Sequence, residues 1–122
     1  MKKILIMALL LSGCARLSFD GTEFDQLITI NETATLLGAT CGSQDQTVKI
    51  NKLKQEINHF NRYETLRTSR KEVAIVSAEL NSLVNELAAK YEKNIPSSVY
   101  CVEKLKMVVD GSNTIISALG AL

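Results

Sequence analysis

The chain has 122 residues, a length that allows one small domain with a single hydrophobic core. Its 14 basic and 13 acidic side chains nearly cancel, which argues against a nucleic-acid-binding protein. There is no tryptophan, aromatic residues are few and Pro96 is the single proline, so the composition favours helices over a β-sandwich, which needs many turns.

The first 13 residues have the organisation of a secretory signal. Lys2 and Lys3 supply a positive start, and an unbroken apolar run follows over residues 4–11. A membrane-spanning helix needs about 20 apolar residues, so this run is too short to be one. We therefore predict that residues 1–13 are a signal peptide, which is removed and takes no part in the fold.

The residues that end this segment resemble the lipobox of bacterial lipoproteins. They are Leu11, Ser12, Gly13 and Cys14, in that order. The resemblance implies that the Cys14 sulfur carries a diacylglycerol, that the signal is cut just before Cys14, and that the new N-terminus is acylated. Two or three acyl chains hold a protein to a membrane far more firmly than one chain does.

The resemblance also implies a location. In enterobacterial lipoproteins an aspartate directly after the lipidated cysteine favours the inner membrane, and this chain has Ala15 at that position. We therefore expect an outer-membrane protein that faces the periplasm, with a Gram-positive cell surface as the alternative. Residues 14–21 would be the lipidated N-terminus and a short tether, whose sequence from Ala15 to Gly21 reaches about 25 Å when fully extended. Residues 22–122 would then be the folded domain.

Lipidation of Cys14 would leave an even pair of cysteines, Cys41 and Cys101. An oxidising compartment favours a disulfide between them, and closing a loop of roughly 60 residues stabilises a chain by about 4 kcal/mol in the chain-entropy model. Two separate buried thiols are the alternative, and a metal site would need further Cys or His ligands at characteristic spacing. We predict the disulfide.

Four stretches of the remaining chain have apolar residues spaced by three and four, which is typical of amphipathic helices. Thr22 is the predicted N-cap of the first stretch, the third ends near Pro96, and the fourth begins at Ser97 or Ser98. The predicted core positions are Leu27, Ile30, Ala34 and Leu37 in the first stretch; Ile50, Leu53, Ile57 and Phe60 in the second; Val73, Val76, Leu80, Leu83 and Leu87 in the third; and Val102, Leu105, Val109, Ile116 and Leu119 in the fourth.

The second and third stretches are predicted to be separate helices. Phe60 and Val73 lie 13 residues apart, which places them about 220° out of phase on one straight helix. Residues 69–72 fit a capping box, a signal for a helix start. One helix over residues 46–93 would also run about 70 Å and hold the two cysteines far apart. A turn between Asn61 and Ser69 instead gives an all-α, up-down bundle of about four helices closed by one disulfide.

The fourth stretch contains one ambiguous segment. Residues 110–113 read Asp-Gly-Ser-Asn, which could be the turn of a β-hairpin between residues 107–109 and 114–116. The apolar spacing continues across these residues, so we predict a helix, straight or kinked.

The sequence offers little catalytic chemistry. His59 is the single histidine, and Glu56 beside it does not complete a metal site. There is no phosphate-binding glycine loop, nucleophile elbow or zinc motif. We predict no catalytic residues, cofactor or metal.

Four basic residues surround the predicted turn between the second and third stretches: Arg62, Arg67, Arg70 and Lys71. They form either a solvated surface or a contact for an acidic partner or lipid headgroups.

These features predict a lipid-anchored binding or structural module that contacts another envelope protein or peptidoglycan, with Tyr63, Leu66 and Tyr91 as candidate surface contacts. Val99-Tyr100-Cys101, followed by Lys104-Leu105, also resembles small uncharacterised lipoproteins of tailed phages. That resemblance implies a role in superinfection exclusion or, as a spanin-like outer-membrane subunit, in host lysis. A cell-wall hydrolase is the alternative from a different class, and it would need convergent carboxylates or a nucleophile and base in a cleft.

Overall fold

A computed structural model of the chain describes residues 20–42, 45–67 and 71–120. These residues form four helices, α1 Gly21–Ala39, α2 Thr47–Thr65, α3 Lys71–Lys93 and α4 Ser98–Gly120, with no strand in the described ranges. Each helix packs on two neighbours: α1 and α3 both contact α2 and α4, and the two diagonal pairs are apart. The predicted all-α, up-down bundle is confirmed. The predicted signal peptide, Cys14 and most of the tether lie outside the described residues.

The first helix begins earlier than the sequence predicted. Its N-cap is Asp20, whose carboxylate accepts hydrogen bonds from the backbone N–H groups of Thr22 and Glu23. The prediction of Thr22 as the cap was wrong, because Thr22 already lies in the first turn and its own N–H needs a partner.

The apolar stripes of the first three helices form the core. All eight predicted positions of α1 and α2 are buried, as are Val73, Val76, Leu80 and Leu87 of α3. Leu83 is only partly buried, and the fully buried side chain at this level of α3 is Val84. The three helices therefore present the faces that their spacing predicted.

Helix α4 is rotated relative to its predicted face. Leu105 and Leu119 are buried as predicted, and Val109 and Ile116 are partly buried, but Val102 is 44% exposed. The buried stripe of the helix is Cys101, Leu105, Val108, Ile115 and Leu119. Cys101 points inward because it is bonded to Cys41 at the end of α1, and this bond determines which face of α4 enters the core.

The segment over residues 107–116 is helical, which excludes the hairpin alternative. Its turn-like residues face α1, where the Asn31 side-chain amide donates to Ser112 Oγ and to Asn113 Oδ1, each at 3.0 Å. Ser112 is fully buried. Small and polar residues are therefore used here for close helix packing, and they do not end the helix.

The corners between the helices follow recognisable signals. Gly42 after α1 has φ +78°, a left-handed conformation that glycine adopts easily. The predicted turn between the second and third stretches lies between the end of α2 and the start of α3, but Ser69 and Arg70 of its capping box are outside the described ranges. Before α4, the Ser97 hydroxyl accepts a hydrogen bond from the Tyr100 N–H at 3.1 Å, as expected for a cap.

Within the described ranges, no helix is long and apolar enough to cross a bilayer.

Candidate functional site

Two clusters of polar side chains lie at the two ends of the bundle. The proximal cluster, where α1 starts and α2 ends, consists of Asp20, Glu23, Tyr63, Glu64 and Arg67. The distal cluster, where α1 ends and α4 starts, consists of Thr40, Cys41, Gln46, Tyr91 and Cys101.

The Asp20 carboxylate is the centre of the proximal cluster. One oxygen accepts from the N–H groups of Thr22 at 2.9 Å and Glu23 at 3.1 Å. The other oxygen accepts from the Tyr63 hydroxyl at 2.7 Å and from the guanidinium of Arg67, with which it forms an ion pair. A single side chain thus caps α1 and joins it to the last turns of α2.

These contacts shift the acidity of both partners. The hydrogen bond from Tyr63 is the main cause that lowers the pKa of the Asp20 carboxyl below its ordinary 3.8, with further help from the Glu23 N–H and Arg67. The same hydrogen bond raises the pKa of the Tyr63 hydroxyl above 10.0. Asp20 is therefore ionised and Tyr63 neutral over the physiological range.

Arg67 is balanced by several carboxylates. Burial would lower the pKa of its guanidinium, but the charges of Glu23, Asp20 and Glu64 together raise it. Glu23 and Glu64 are fully buried, and Arg67 stacks near the Tyr63 ring with its guanidinium carbon 5.4 Å from the ring centroid. The cluster joins two helices by placing three carboxylates near one guanidinium, so its arginine is not a free basic residue.

The predicted basic surface is consequently divided. Arg67 is engaged in the proximal cluster, Arg62 and Lys71 are exposed, and Arg70 lies outside the described residues. Leu66, one of the predicted surface contacts, is 75% exposed at the corner between α2 and α3. Two exposed cations and an exposed leucine therefore lie at the proximal end.

The distal cluster contains the predicted disulfide between Cys41 and Cys101, whose Cα atoms are 5.7 Å apart. The Gln46 amide, almost fully buried, donates toward the Leu37 carbonyl at 3.4 Å and the Tyr91 hydroxyl at 3.5 Å. The Tyr91 oxygen also lies 3.4 Å from Cys101 Sγ. Tyr91 is only 5% exposed, so its prediction as a surface contact was wrong: its ring completes the core and its hydroxyl finds buried partners.

His59 lies in an open groove between α1 and α2. The side chain is exposed, and the groove is lined by Thr22, Asp25, Gln26, Thr29, Gln55, Glu56 and His59. Across the described parts of the chain, no group of three or more His, Cys, Asp or Glu is arranged to hold a metal ion. His59 is thus a surface residue in this open groove.

From the sequence we predicted the disulfide of the distal cluster, but not the roles of Asp20, Glu23 and Gln46. Asp20 and Glu23 are spaced as a cap and its third helical residue, a signal that could have located the start of α1. Gln46 carries no comparable signal, because a glutamine before a helix is usually solvated.

No protein-family model matches this chain, and no curated protein or solved structure matches it either.

Proposed function

We propose that the chain is a lipid-anchored binding or structural module of the cell envelope, attached to its membrane through Cys14. The observation that carries this proposal is the order of the N-terminal residues, with a basic start, an apolar run over residues 4–11, and Leu11-Ser12-Gly13-Cys14 at its end. The disulfide between Cys41 and Cys101 supports it, because exported proteins enter a compartment in which such bonds persist.

The use of buried polar side chains supports a structural or binding role without catalysis. Ser77 in α3 is fully buried and lies 2.8 Å from Asn61 Oδ1 in α2. Gln46, which precedes α2, reaches Tyr91 in α3. These two contacts hold neighbouring helices together, which is a structural use of buried polar side chains.

The proposed location is the outer membrane, with the bundle facing the periplasm. Ala15 after Cys14 favours this location through the resemblance to enterobacterial lipoproteins, and a Gram-positive host would place the same anchor on the cell surface. The proposed partner is a second envelope protein or peptidoglycan.

Metabolic labelling tests the anchor. The full chain, Cys14→Ser and Cys41→Ala would be expressed in a Gram-negative host supplied with an alkyne analogue of palmitate. We expect the full chain to be labelled and recovered in the outer membrane. Cys41→Ala should behave in the same way, because this variant lacks the disulfide but keeps the lipobox. Cys14→Ser should keep its leader and carry no label. Equal labelling of Cys14→Ser would refute the proposal.

Two measurements separate the proposed partner classes. Purified peptidoglycan would sediment the protein if it binds the cell wall, whereas chemical cross-linking in intact envelopes would give a discrete larger species if the partner is a protein. The matched comparison is the unlipidated Cys14→Ser chain. The binding role would be wrong if neither measurement detects an interaction of the anchored protein.

A further inference from the structure

We infer that the proximal end of the bundle rests on the phospholipid surface of the membrane, with Leu66 entering the headgroup region and Arg62 and Lys71 meeting lipid phosphates. This inference rests on the proposed attachment through Cys14. It adds an orientation to that proposal, since the disulfide-bearing distal end then points away from the membrane.

The length of chain between the anchor and the bundle supports this orientation. Six residue steps separate Cys14 from Asp20. At most about 3.5 Å per residue, they allow Asp20 to lie no farther than about 21 Å from the anchored cysteine. The 23-residue helix α3 is about 35 Å long. Asp20 belongs to the proximal end, where it bonds Tyr63 and Arg67, so the anchor holds this end of the bundle near the lipid.

The proximal end also presents apolar side chains to its surroundings. Leu66 follows the last turn of α2 and is 75% exposed, and Ile75 in the second turn of α3 is exposed as well. Ile75 shares a helix face with Lys71, four residues before it. Apolar side chains next to long cationic ones are the combination that binds at the boundary between headgroups and acyl chains.

Two exposed cations at this end can meet anionic headgroups. Arg62 and Lys71 are exposed on either side of Leu66 in the chain. Glu23 and Glu64 are fully buried, and the cap residue Asp20 is paired with Arg67. The two exposed cations are therefore available to an approaching surface, and cations near anionic lipid are attracted to it.

A weak contact is sufficient for this orientation. The exposed Asp25 and half-buried Glu72 lie near the same end and reduce the attraction. The tether compensates for this reduction, because joining two binding groups by a short flexible linker gives an effective concentration of about millimolar.

A single-tryptophan reporter tests the contact directly, because the chain contains no tryptophan. The chain from Cys14 to Leu122 contains all four helices, and Cys14 is its one thiol outside the disulfide, so it can be coupled to maleimide-bearing lipids in vesicles. Leu66→Trp reports from the proximal end. Val48→Trp is the matched control, since Val48 is 83% exposed at the opposite end of the same helix, about 27 Å away.

On vesicles of phosphatidylcholine and phosphatidylglycerol we expect blue-shifted emission from Leu66→Trp and quenching by brominated acyl chains several-fold greater than for Val48→Trp. Adding Arg62→Gln and Lys71→Gln, or omitting phosphatidylglycerol, should reduce the shift. Ile75→Trp is a second reporter that should behave like Leu66→Trp. Emission from both proximal reporters that stays at its value in water would overturn the inference.

Because Cys14 is coupled chemically to maleimide-bearing lipids, the tryptophan emission does not depend on whether cells lipidate the chain. Water-exposed proximal reporters on coupled vesicles would contradict the membrane contact and leave the anchor intact. A chain that cells never acylate at Cys14 would contradict the proposed function, whatever the reporters show. Equal quenching at positions 48 and 66 would also overturn the proposed orientation, because it indicates a bundle lying on its side.

Discussion

The Tyr63 hydroxyl donates a 2.7 Å hydrogen bond to the carboxylate of Asp20, although the two residues are 43 positions apart in the chain. Asp20 also caps α1, so the start of the first helix and the end of the second are held by one side chain. The stability of the proximal end should therefore depend on Asp20 more than on any nearby acidic residue that lacks these contacts.

Replacing Asp20 with alanine should lower the free energy of unfolding by about 2 kcal/mol or more, because both the cap and the charge-assisted bonds are lost. Asp25→Asn is the matched control, since Asp25 is exposed in the same helix and should cost about 0.5 kcal/mol or less. Urea unfolding with the disulfide intact measures both. Equal stability of the two variants would contradict the role given to Asp20.

The same carboxylate gives a defined pH dependence. Because the folded pKa of Asp20 is below its ordinary 3.8, its stabilising contribution is present above that pH and is lost as the pH falls through the folded value. The pKa of Tyr63 is raised above 10.0, so its contribution is present below that pH and lost as the pH rises. The difference in unfolding free energy between the native chain and Asp20→Ala should therefore be largest near neutrality. A difference that stays constant down to about pH 2 would be inconsistent with an ionised Asp20 in this joint.

Alanine substitutions at Gly42 and Gly21 should have opposite effects on the stability of the fold. A Cβ at Gly42 would lie 2.7 Å from the Ser98 Cβ, and the backbone there has φ +78°. Gly42→Ala should therefore destabilise the fold by at least about 1 kcal/mol. A Cβ at Gly21 meets nothing within 4 Å, so Gly21→Ala in the first turn of α1 should be neutral or stabilising by up to about 1 kcal/mol. Thermal unfolding of the two variants checks the pair, and a Gly42→Ala protein as stable as Gly21→Ala would argue against the close corner at Ser98.

The rotation of α4 predicts different effects for two valines in the same helix. Val108 is buried and Val102 is 44% exposed. Val108→Ala should cost about 1–3 kcal/mol, and Val102→Ala should stay within about 0.5 kcal/mol of the native chain. Chemical unfolding measures both, and the reverse order would support the helix face expected from sequence over the one described.

The spacing of apolar residues in α1 and α2 was enough to predict the eight core positions named for these helices. In α2 the stripe is flanked mainly by polar residues that leave one choice of face, whereas in α1 the apolar Ile28 and Leu36 lie beside it. Helix α4 offers two apolar stripes, through Cys101 and through Val102, and the choice between them depends on a bond to a cysteine 60 positions earlier. The local spacing of apolar residues does not show which stripe faces the core. The predicted disulfide did indicate it, because Cys101 must then point toward Cys41.

The hydrogen bonds between helices in the two polar clusters could not be predicted from the sequence, for a different reason. Tyr63 meets Asp20, and Gln46 meets Tyr91, only because neighbouring helices are aligned at a particular height. That register follows from the packing of the whole core and the disulfide, so no segment of sequence carries it alone. Residues of the second turn were predicted as a group, but the structure separates Arg67, which is bonded to Asp20, from the exposed Arg62.

The intact mass of the chain, extracted from membranes and treated with iodoacetamide without reduction, tests most directly whether a disulfide-closed bundle is anchored through Cys14. We predict a protein that begins at Cys14, carries a diacylglycerol and an added acyl chain, and takes up no alkylating group because Cys41 and Cys101 are bonded. An unacylated chain that retains residues 1–13, or one that takes up two alkylating groups, would contradict it.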